Sequence, residues 1–361
     1  MTKIVDILKI KYPLIQAPMA LSDSPSLVAA ISNQGGLGSL GAGTFSPEQI
    51  REKIQEIRTL TNKPFAINLF APIPTKSYSN EEIQNAVKSL NYFRQKLGIK
   101  NIDQIEIKSP PSFEEKLAVI LEEKIPVFSF TFGILSKETI QQIKSHGISI
   151  IGTATTVREA QLLENNGVDM VVAQGYEAGG HRGTELKKTP IANALIGTMA
   201  LVPQVVDAVK IPVIASGGIM DGRGIIAAYA LGAAGVQMGT AFLSCPESNI
   251  HEMHRKLLLS STDESTRLTM AFTGRMARSL KNDFLLEMEK NNFPILDMPI
   301  QGALVKDIRE AAQKQNNPDY MSLWAGQASH LCRNIPAAQL FDKLLSEAKE
   351  VLNRRDVFLR Q

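Results

Sequence analysis

The stretch AQGYEAGGHRG, at residues 173–183, contains an ionisable ring that could take part in chemistry. An apolar run from Met170 to Ala173 leads directly into it, and His181 then lies among glycines with an arginine beside it. A histidine titrates near neutral pH, so it can exchange protons or polarise a substrate oxygen. His181 is therefore the candidate catalytic residue, and a surface histidine in a flexible loop is the alternative interpretation.

Residues next to this histidine could hold a flat ligand. Gln174, at the end of the apolar run, offers an amide that both donates and accepts hydrogen bonds, which suits the edge of a heterocyclic ring. Gly179 and Gly180 let the loop fold tightly over such a ligand. The pattern predicts a ligand-binding loop directly after a buried strand.

Two further segments combine glycine with small polar residues, as a phosphate site requires. They comprise Ser216, Gly217 and Gly218 in the first segment, and Gln237, Met238, Gly239 and Thr240 in the second. Glycines let the backbone approach an anion closely, and the Thr240 hydroxyl can add a donor. The alternative is that these glycines only make turns. The phosphate could belong to a nucleotide, a flavin mononucleotide or a sugar.

The elements that would position these residues form an alternating pattern. Strand-like runs lie at residues 13–19, 37–43, 65–70, 126–133, 149–155, 170–174, 212–216 and 235–243, mostly with helical patterns between them. Parallel strands need crossover helices, and eight such units close naturally into a TIM (β/α)8 barrel. A doubly wound open sheet is the competing architecture. In the barrel, the active site lies at the carboxyl ends of the strands, where the loops after strands seven and eight commonly bind phosphate.

The pattern also predicts how the chain is divided. Residues 1–243 are expected to form the barrel, with a helical insertion at about residues 79–124. Residues 244–361 read as a mostly helical C-terminal lid or subdomain packed on the barrel, with a stretch rich in Pro and Asn around residues 291–299.

One glycine motif has the wrong context for the function that it suggests. Gly36, Gly38 and Gly41 match G-x-G-x-x-G, but a predicted helix precedes them and a short strand carries them. The dinucleotide-binding motif instead follows a strand and opens a helix. These glycines are therefore interpreted as a helix end and a tight strand, whose last residues could still approach a ligand.

Composition excludes several classes of protein. A net charge of +3 over 361 residues gives no reason to expect nucleic acid as a partner. Cys245 and Cys332 are far apart, and His251 and His254 lack a third ligand, so no metal site is expected. Neither a signal peptide nor an apolar run of about 20 residues is visible, so we expect a cytoplasmic protein without membrane contact.

Several motifs together resemble the bacterial nitronate monooxygenases, formerly called 2-nitropropane dioxygenases. They are QAPM (16–19), GGLGSLGAG (35–43), NLF (68–70), FTFG (130–133), AQGYEAGGHRG (173–183), PVIASGG (212–218), DGRGIIAAYALGA (221–233), GVQMGTAFL (235–243) and LWAGQA (323–328). The E-A-G-G-H core is shared with FMN-containing enoyl-acyl-carrier-protein reductases. NLF, FTFG and especially LWAGQA favour the monooxygenases.

The resemblance implies an FMN bound non-covalently in the barrel. By motif, the flavin ring is lined by Ala17, Pro18 and Met19, receives hydrogen bonds from Asn68 and Gln174, and is contacted by Gly179. Gly217, Gly218 and the segment from Gln237 to Thr240 would hold the phosphate, and His181 would face the substrate. Some members of the family carry a second histidine in the F-x-F-G strand, where this chain has Thr131.

The implied reaction is the oxidative denitrification of alkyl nitronates, such as propionate 3-nitronate. The reaction would use O2, pass through a flavin semiquinone and give a carbonyl compound and nitrite. Its role would be detoxification. His181 could hydrogen-bond the nitronate oxygens or deprotonate a neutral nitroalkane, and these two roles need different protonation states. The expected partners are the small-molecule nitronate and O2, and the chain is expected to be a monomer or homodimer.

Three alternatives remain open from the sequence. An NAD(P)H-dependent FMN reductase, acting on enoyl-acyl-carrier-protein or quinones, would use the same barrel. A flavin- or nucleotide-binding protein without catalysis would need no histidine on the catalytic face. A dehydrogenase of the inosine-monophosphate type would need a nucleophilic cysteine on a barrel loop, and Cys245 lies just past predicted strand eight.

Overall fold

The computed structural model describes residues 3–72, 76–106, 111–184 and 191–353. Its strands are β1 (Leu14–Gln16), β2 (Gly38–Gly41), β3 (Phe65–Phe70), β4 (Val127–Thr131), β5 (Ser149–Ala154), β6 (Met170–Gln174), β7 (Gly180–His181), β8 (Val213–Ser216), β9 (Gly235–Met238), β10 (Thr266–Thr269) and β11 (Ala277–Leu280). Eight of these strands pair in parallel in the order β1-β9-β8-β6-β5-β4-β3-β2. A parallel bridge between Ile15 and Leu37 brings the two ends of this sheet together, so the predicted TIM barrel is confirmed.

Helices surround the barrel. They are α1 (Ile4–Leu8), α2 (Pro25–Asn33), α3 (Pro47–Leu60), α4 (Asn80–Lys96), α5 (Phe113–Glu122), α6 (Lys137–Ser145), α7 (Val157–Asn166), α8 (Thr198–Ala208), α9 (Gly222–Ala230), α10 (Thr240–Leu243), α11 (Glu252–Leu259), α12 (Asp283–Lys290), α13 (Ile300–Leu304), α14 (Lys306–Lys314) and α15 (Ala337–Asn353). Short 3-10 turns lie at Ile191–Ala194, Pro318–Tyr320 and Ser329–Leu331. In the described part of the chain, no helix combines the length and apolar character that crossing a membrane requires.

Local sequence signals explain where several helices begin. Ser24 and Ser46 cap α2 and α3 with their hydroxyls, and each is followed by proline at the first helical position. Asp221 caps α9 by accepting hydrogen bonds from the backbone N–H groups of Arg223 and Gly224. One predicted boundary was wrong, because the eighth barrel strand ends at Met238 and the chain then turns into the short helix α10.

The barrel interior is filled by alternate residues of its strands. Ile15, Ala66, Ile151 and Ile214 belong to this inner cluster, and α1 contributes Ile4 and Leu8. A larger apolar cluster lies between the strands and the surrounding helices. This packing makes the barrel a rigid base, so that side chains at its strand ends have fixed positions.

A second core lies beside the barrel and joins two distant parts of the chain. It contains Leu90 and Phe93 of α4 together with Phe284 of α12 and Leu304 of α13. Helix α15, near the end of the chain, packs against α9 and α2 of the barrel. The division of the chain into two parts at residue 243 remains a prediction.

The segment after residue 243 is largely helical, as expected, but it also contains strands that sequence analysis missed. Strands β10 and β11 pair antiparallel, and β11 pairs in turn with β7, so that Ala277 lies opposite His181. Both strands are only four residues long and carry charged or polar residues on both faces, so their sequences lack a clear period of two. The consequence is that the C-terminal segment fixes the backbone of the candidate catalytic histidine.

Candidate active site

A cavity of about 400 Å³ opens at the carboxyl ends of the barrel strands. Its lining includes all the predicted site residues: Ala17, Pro18, Met19, Asn68, Gln174, Gly179, Gly180, His181, Ser216, Gly217, Gly218, Gln237, Met238, Gly239 and Thr240. The volume is in the range of small-molecule and cofactor sites. The structure therefore brings the histidine loop and both glycine segments to one concave site.

His181 is held on several sides and reaches the cavity on another. Its Nε2 lies 2.8 Å from Thr273 Oγ1, and its ring packs against Trp324 and Phe132 with centroid separations of 5.2 and 5.7 Å. Burial, and then the positive charges of Arg275 and Arg309, lower the pKa of His181 to about 3. The imidazole is therefore neutral throughout the physiological pH range.

Gln174 has fewer hydrogen-bonding groups free for a ligand than its residue type suggested. Its Oε1 accepts hydrogen bonds from Arg182 Nη1 at 3.1 Å and from the backbone N–H of Gly183 at 2.8 Å. Its Nε2 donates to the backbone carbonyl of His181 at 3.1 Å. Only one N–H of this amide remains for a ligand. The expectation that Gln174 both donates hydrogen bonds to a ligand and accepts them from it must therefore be corrected.

The loop after β1 is tied to the neighbouring strand by a buried carboxylate. Asp23 Oδ2 accepts hydrogen bonds from the backbone N–H groups of Met19 and Gly41, both at 2.7 Å. Burial raises the pKa of Asp23 to about 7, although these two hydrogen bonds oppose the shift. Asp23 thus positions the segment in which Ala17, Pro18 and Met19 line the cavity. Asn68 also lines the cavity. Its Nδ2 donates to Ser129 Oγ at 2.9 Å, which leaves its carbonyl oxygen and one N–H for a ligand.

The glycine segments have the backbone geometry of an anion cradle. Gly217 and Gly218 follow β8 with φ of 114° and 71°, a left-handed conformation that favours glycine. A Cβ on Gly217 would come within 2.8 Å of Thr198 Oγ1. Thr240 Oγ1 accepts a hydrogen bond from Gly326 N at 2.9 Å, which leaves the hydroxyl proton to donate. Successive backbone N–H groups with an added hydroxyl donor fit a phosphate group.

The LWAGQA motif closes the site by packing on the histidine loop. A Cβ on Gly179 would come within 2.5 Å of the backbone nitrogen of Gly326, so this contact requires glycine. The backbone N–H of Gln327 donates to the carbonyl of Glu177 at 2.9 Å. The motif therefore acts through close backbone contact and through the ring of Trp324, which also lines the cavity.

Several lining residues were not predicted as site residues, and those between Thr273 and Arg309 are remote in sequence from every predicted one. The cavity is also lined by Phe70, Thr131, Phe132, Thr273, Met298, Pro299, Gly302, Arg309 and Trp324. Arg309 is the only arginine or lysine among the described lining residues, and its Nε is buried without a hydrogen-bond partner. Its helix is anchored by Arg94 of α4, whose Nε donates to Asp307 at 2.8 Å. No local pattern in the sequence indicates that Arg309 would reach the site.

Other candidate chemistry receives no support from the described residues. No group of three or more His, Cys, Asp or Glu side chains in these ranges could hold a metal ion. Cys245 lies outside the cavity lining, and burial raises the pKa of its thiol to about 12. A thiol with so high a pKa is a poor nucleophile near neutral pH, which counts against the dehydrogenase alternative.

Known proteins resemble this chain over nearly its whole length. The family model described as nitronate monooxygenase matches residues 1–347. A protein of Staphylococcus saprophyticus named probable nitronate monooxygenase is 41% identical over 353 residues, 98% of this chain and 99% of that protein. The chain belongs to the nitronate monooxygenase family. It is therefore an oxidoreductase, and the family is one of flavoenzymes.

Solved structures agree with this assignment. Nitroalkane oxidase from Streptomyces ansochromogenes superposes with a TM-score of 0.90 and 36% identity, covering 98% of this chain and 99% of that one. FabK from Thermotoga maritima superposes with a TM-score of 0.78 and 30% identity, covering 99% of this chain and 100% of that one. Family membership gives the general activity, which is the oxidation of nitronates. The geometry of the site bears on the cofactor and on the detailed reaction.

Proposed function

We propose that this enzyme carries out the FMN-dependent oxidative denitrification of alkyl nitronates, such as propionate 3-nitronate. With O2 the products are a carbonyl compound and nitrite. The observation that carries the proposal is one cavity whose wall combines two different features. One is the backbone cradle at Gly217 and Gly218, and the other is His181, which feels the positive charge of Arg309.

The residues present fit FMN. The cradle at Gly217 and Gly218, with the free hydroxyl proton of Thr240, supports phosphate binding. The remaining N–H of Gln174 supports a hydrogen bond to a carbonyl oxygen at the flavin edge. We assign the ring-lining role to the segment 17–19. When bound, FMN would accept electrons from the substrate, while the protein supplies orientation and electrostatics.

The rest of the cavity suits a small organic anion with an apolar chain. A nitronate carries a negative charge on its oxygens, and Arg309, which lines the cavity, offers a positive charge. Phe132, Met298 and Trp324 provide apolar surface for the alkyl part. Thr131 occupies the place where some members of the family have a second histidine, so no role for such a histidine is proposed here.

The substitution His181→Ala tests the assigned role. Because His181 is not part of the backbone cradle, the variant should retain its flavin and lose most of its turnover of propionate 3-nitronate. His146→Ala is the matched control, since His146 is exposed at the end of α6, away from the cavity. Nitrite release and flavin absorbance are measured on both. Near-normal turnover in His181→Ala would contradict the assignment.

A second candidate function is supported by the E-A-G-G-H core and by the likeness to FabK. It is an NAD(P)H-dependent FMN reductase acting on enoyl-acyl-carrier-protein or quinone. Rapid bleaching of the flavin by NADH without oxygen would favour this reductase. The detoxification role, the cytoplasmic location and the monomeric or homodimeric state remain predictions.

A further inference from the structure

We propose that Thr273 is a positioning residue that keeps the proton of His181 on Nδ1, so that this histidine acts as a neutral hydrogen-bond donor toward the substrate. The inference rests on the proposed function, because it takes a nitronate anion as the group that receives this hydrogen bond. It distinguishes between the donor role and the base role, which the sequence left open.

The hydrogen-bond distances around Thr273 decide where its hydroxyl proton goes. Oγ1 lies 2.8 Å from Nε2 of His181 and 3.2 Å from the backbone carbonyl of Arg275. Hydrogen bonds donated by a hydroxyl to an oxygen usually span about 2.5 to 3.0 Å. The contact with Nε2 is the shorter of the two, so we assign the hydroxyl proton to Nε2 and take the hydrogen bond to the carbonyl as the weaker one. In a neutral imidazole, a nitrogen that accepts leaves the proton on the other nitrogen.

Nδ1 is then the nitrogen that a ligand meets. No hydrogen bond joins Nδ1 of His181 to any described residue, and this atom is not sealed from solvent. Because His181 is part of the cavity wall, we infer that the accessible nitrogen faces the space where substrate would bind. An N–H at this position complements an oxygen that carries negative charge.

The charged groups around His181 favour the neutral ring. Arg275, just before β11, lies 4.0 Å from the ring centre of Phe132, which itself packs on the histidine ring, and Arg309 of α14 lines the same cavity. Thr273, Phe132 and Trp324 complete the surroundings and carry no charge. These cations and burial lower the pKa of His181 to about 3, which makes the ring a weak base.

A consequence for substrate choice follows. Oxidation of a neutral nitroalkane requires a base to take the proton from its carbon and leave the electron pair as the nitronate. A ring that already carries its proton on Nδ1 has no lone pair at the cavity to receive another. The enzyme should therefore use preformed nitronates and react poorly with neutral nitroalkanes.

Nitrogen-15 NMR of histidine-labelled, FMN-loaded protein tests the inference directly. The chain has five histidines, and the spectrum of His181→Ala identifies the signals of His181. At pH 7 we expect neutral His181 with its proton on Nδ1 in the wild type and in Thr273→Ser. Thr273→Val removes the hydroxyl at similar volume and should populate both tautomers. A wild-type proton on Nε2, or an unchanged tautomer in Thr273→Val, would overturn the inference.

Kinetics provide a second readout. Thr273→Val should lower kcat/KM for propionate 3-nitronate by roughly tenfold, the effect of one hydrogen bond of about 1.4 kcal/mol, and Thr273→Ser should restore it. An unchanged kcat/KM in Thr273→Val would count against the positioning role. If the wild type does not turn over nitronates at all, the proposed function fails, whereas the tautomer measured by NMR still tests the role of Thr273.

Discussion

At the scale of single residues, hydrogen bonds restrict what each side chain can offer a ligand. The residue type of Gln174 allows donation and acceptance, but Arg182 and Gly183 occupy its carbonyl oxygen. The position of His181 in the cavity wall was predictable from its glycine-rich loop after an apolar run, because loops after barrel strands meet at one face of the barrel. Its partner Thr273 was not predictable, because 92 positions separate the two residues and no local pattern connects them.

Arg309 gives a prediction at this scale. Arg309→Met should raise KM for propionate 3-nitronate by about 10- to 100-fold, because a hydrogen bond to a charged group contributes about 1.5 to 3 kcal/mol. Arg309→Lys keeps the charge but loses the planar guanidinium group, so its KM should lie between that of the wild type and that of Arg309→Met. Flavin content should be the same in all three proteins. Steady-state kinetics measure the effect, and an unchanged KM in Arg309→Met would exclude Arg309 from anion binding.

At the scale of elements, periodic and capped segments were predictable, whereas weakly patterned ones were not. The strands of the barrel have apolar runs, and Ser24 and Ser46 mark helix starts by a local signal. The pairing of β7 with β11 depends on contact between segments about 100 residues apart, and neither strand has a distinctive period. The packing of α4 on the C-terminal segment is likewise a tertiary effect that local patterns do not encode.

The tie between β1 and β2 gives a prediction about pH and stability. In the folded protein burial raises the pKa of Asp23 to about 7, from the ordinary value of 3.8 for an aspartate side chain. The folded state therefore binds more protons than the unfolded state between these values, and stability is lost as pH rises through this window. Asp23→Asn cannot carry the charge, so its free energy of unfolding relative to the wild type should increase by about 2 kcal/mol from pH 5 to pH 8.

Urea unfolding of both proteins at the two pH values measures this difference. The contributions of His181 and the other ionisable groups are present in both proteins and cancel in the comparison. Asp6→Asn is the matched control at an exposed position of α1. A difference between Asp23→Asn and the wild type that does not change with pH would show that Asp23 is charged over the whole range.

At the scale of the whole molecule, the barrel and the segment after it build the site together. The barrel supplies the backbone cradle at Gly217 and Gly218 and the wall of residues 17–19, and the later segment supplies Thr273, Arg309 and Trp324. The sequence predicted the first contribution because barrel geometry fixes where strand ends meet. The second contribution could be predicted only as a lid, because its residues reach the cavity through the second core and the small sheet.

The most direct test of the central claim is the visible absorption spectrum of the purified protein, followed without oxygen after separate additions of nitronate and NADH. A bound flavin, which is the chromophore, should absorb near ~370 and ~450 nm. We expect propionate 3-nitronate to bleach the ~450 nm band and NADH to leave it unchanged. Bleaching by NADH with no response to nitronate, or a colourless protein that cannot be reconstituted with FMN, would contradict it.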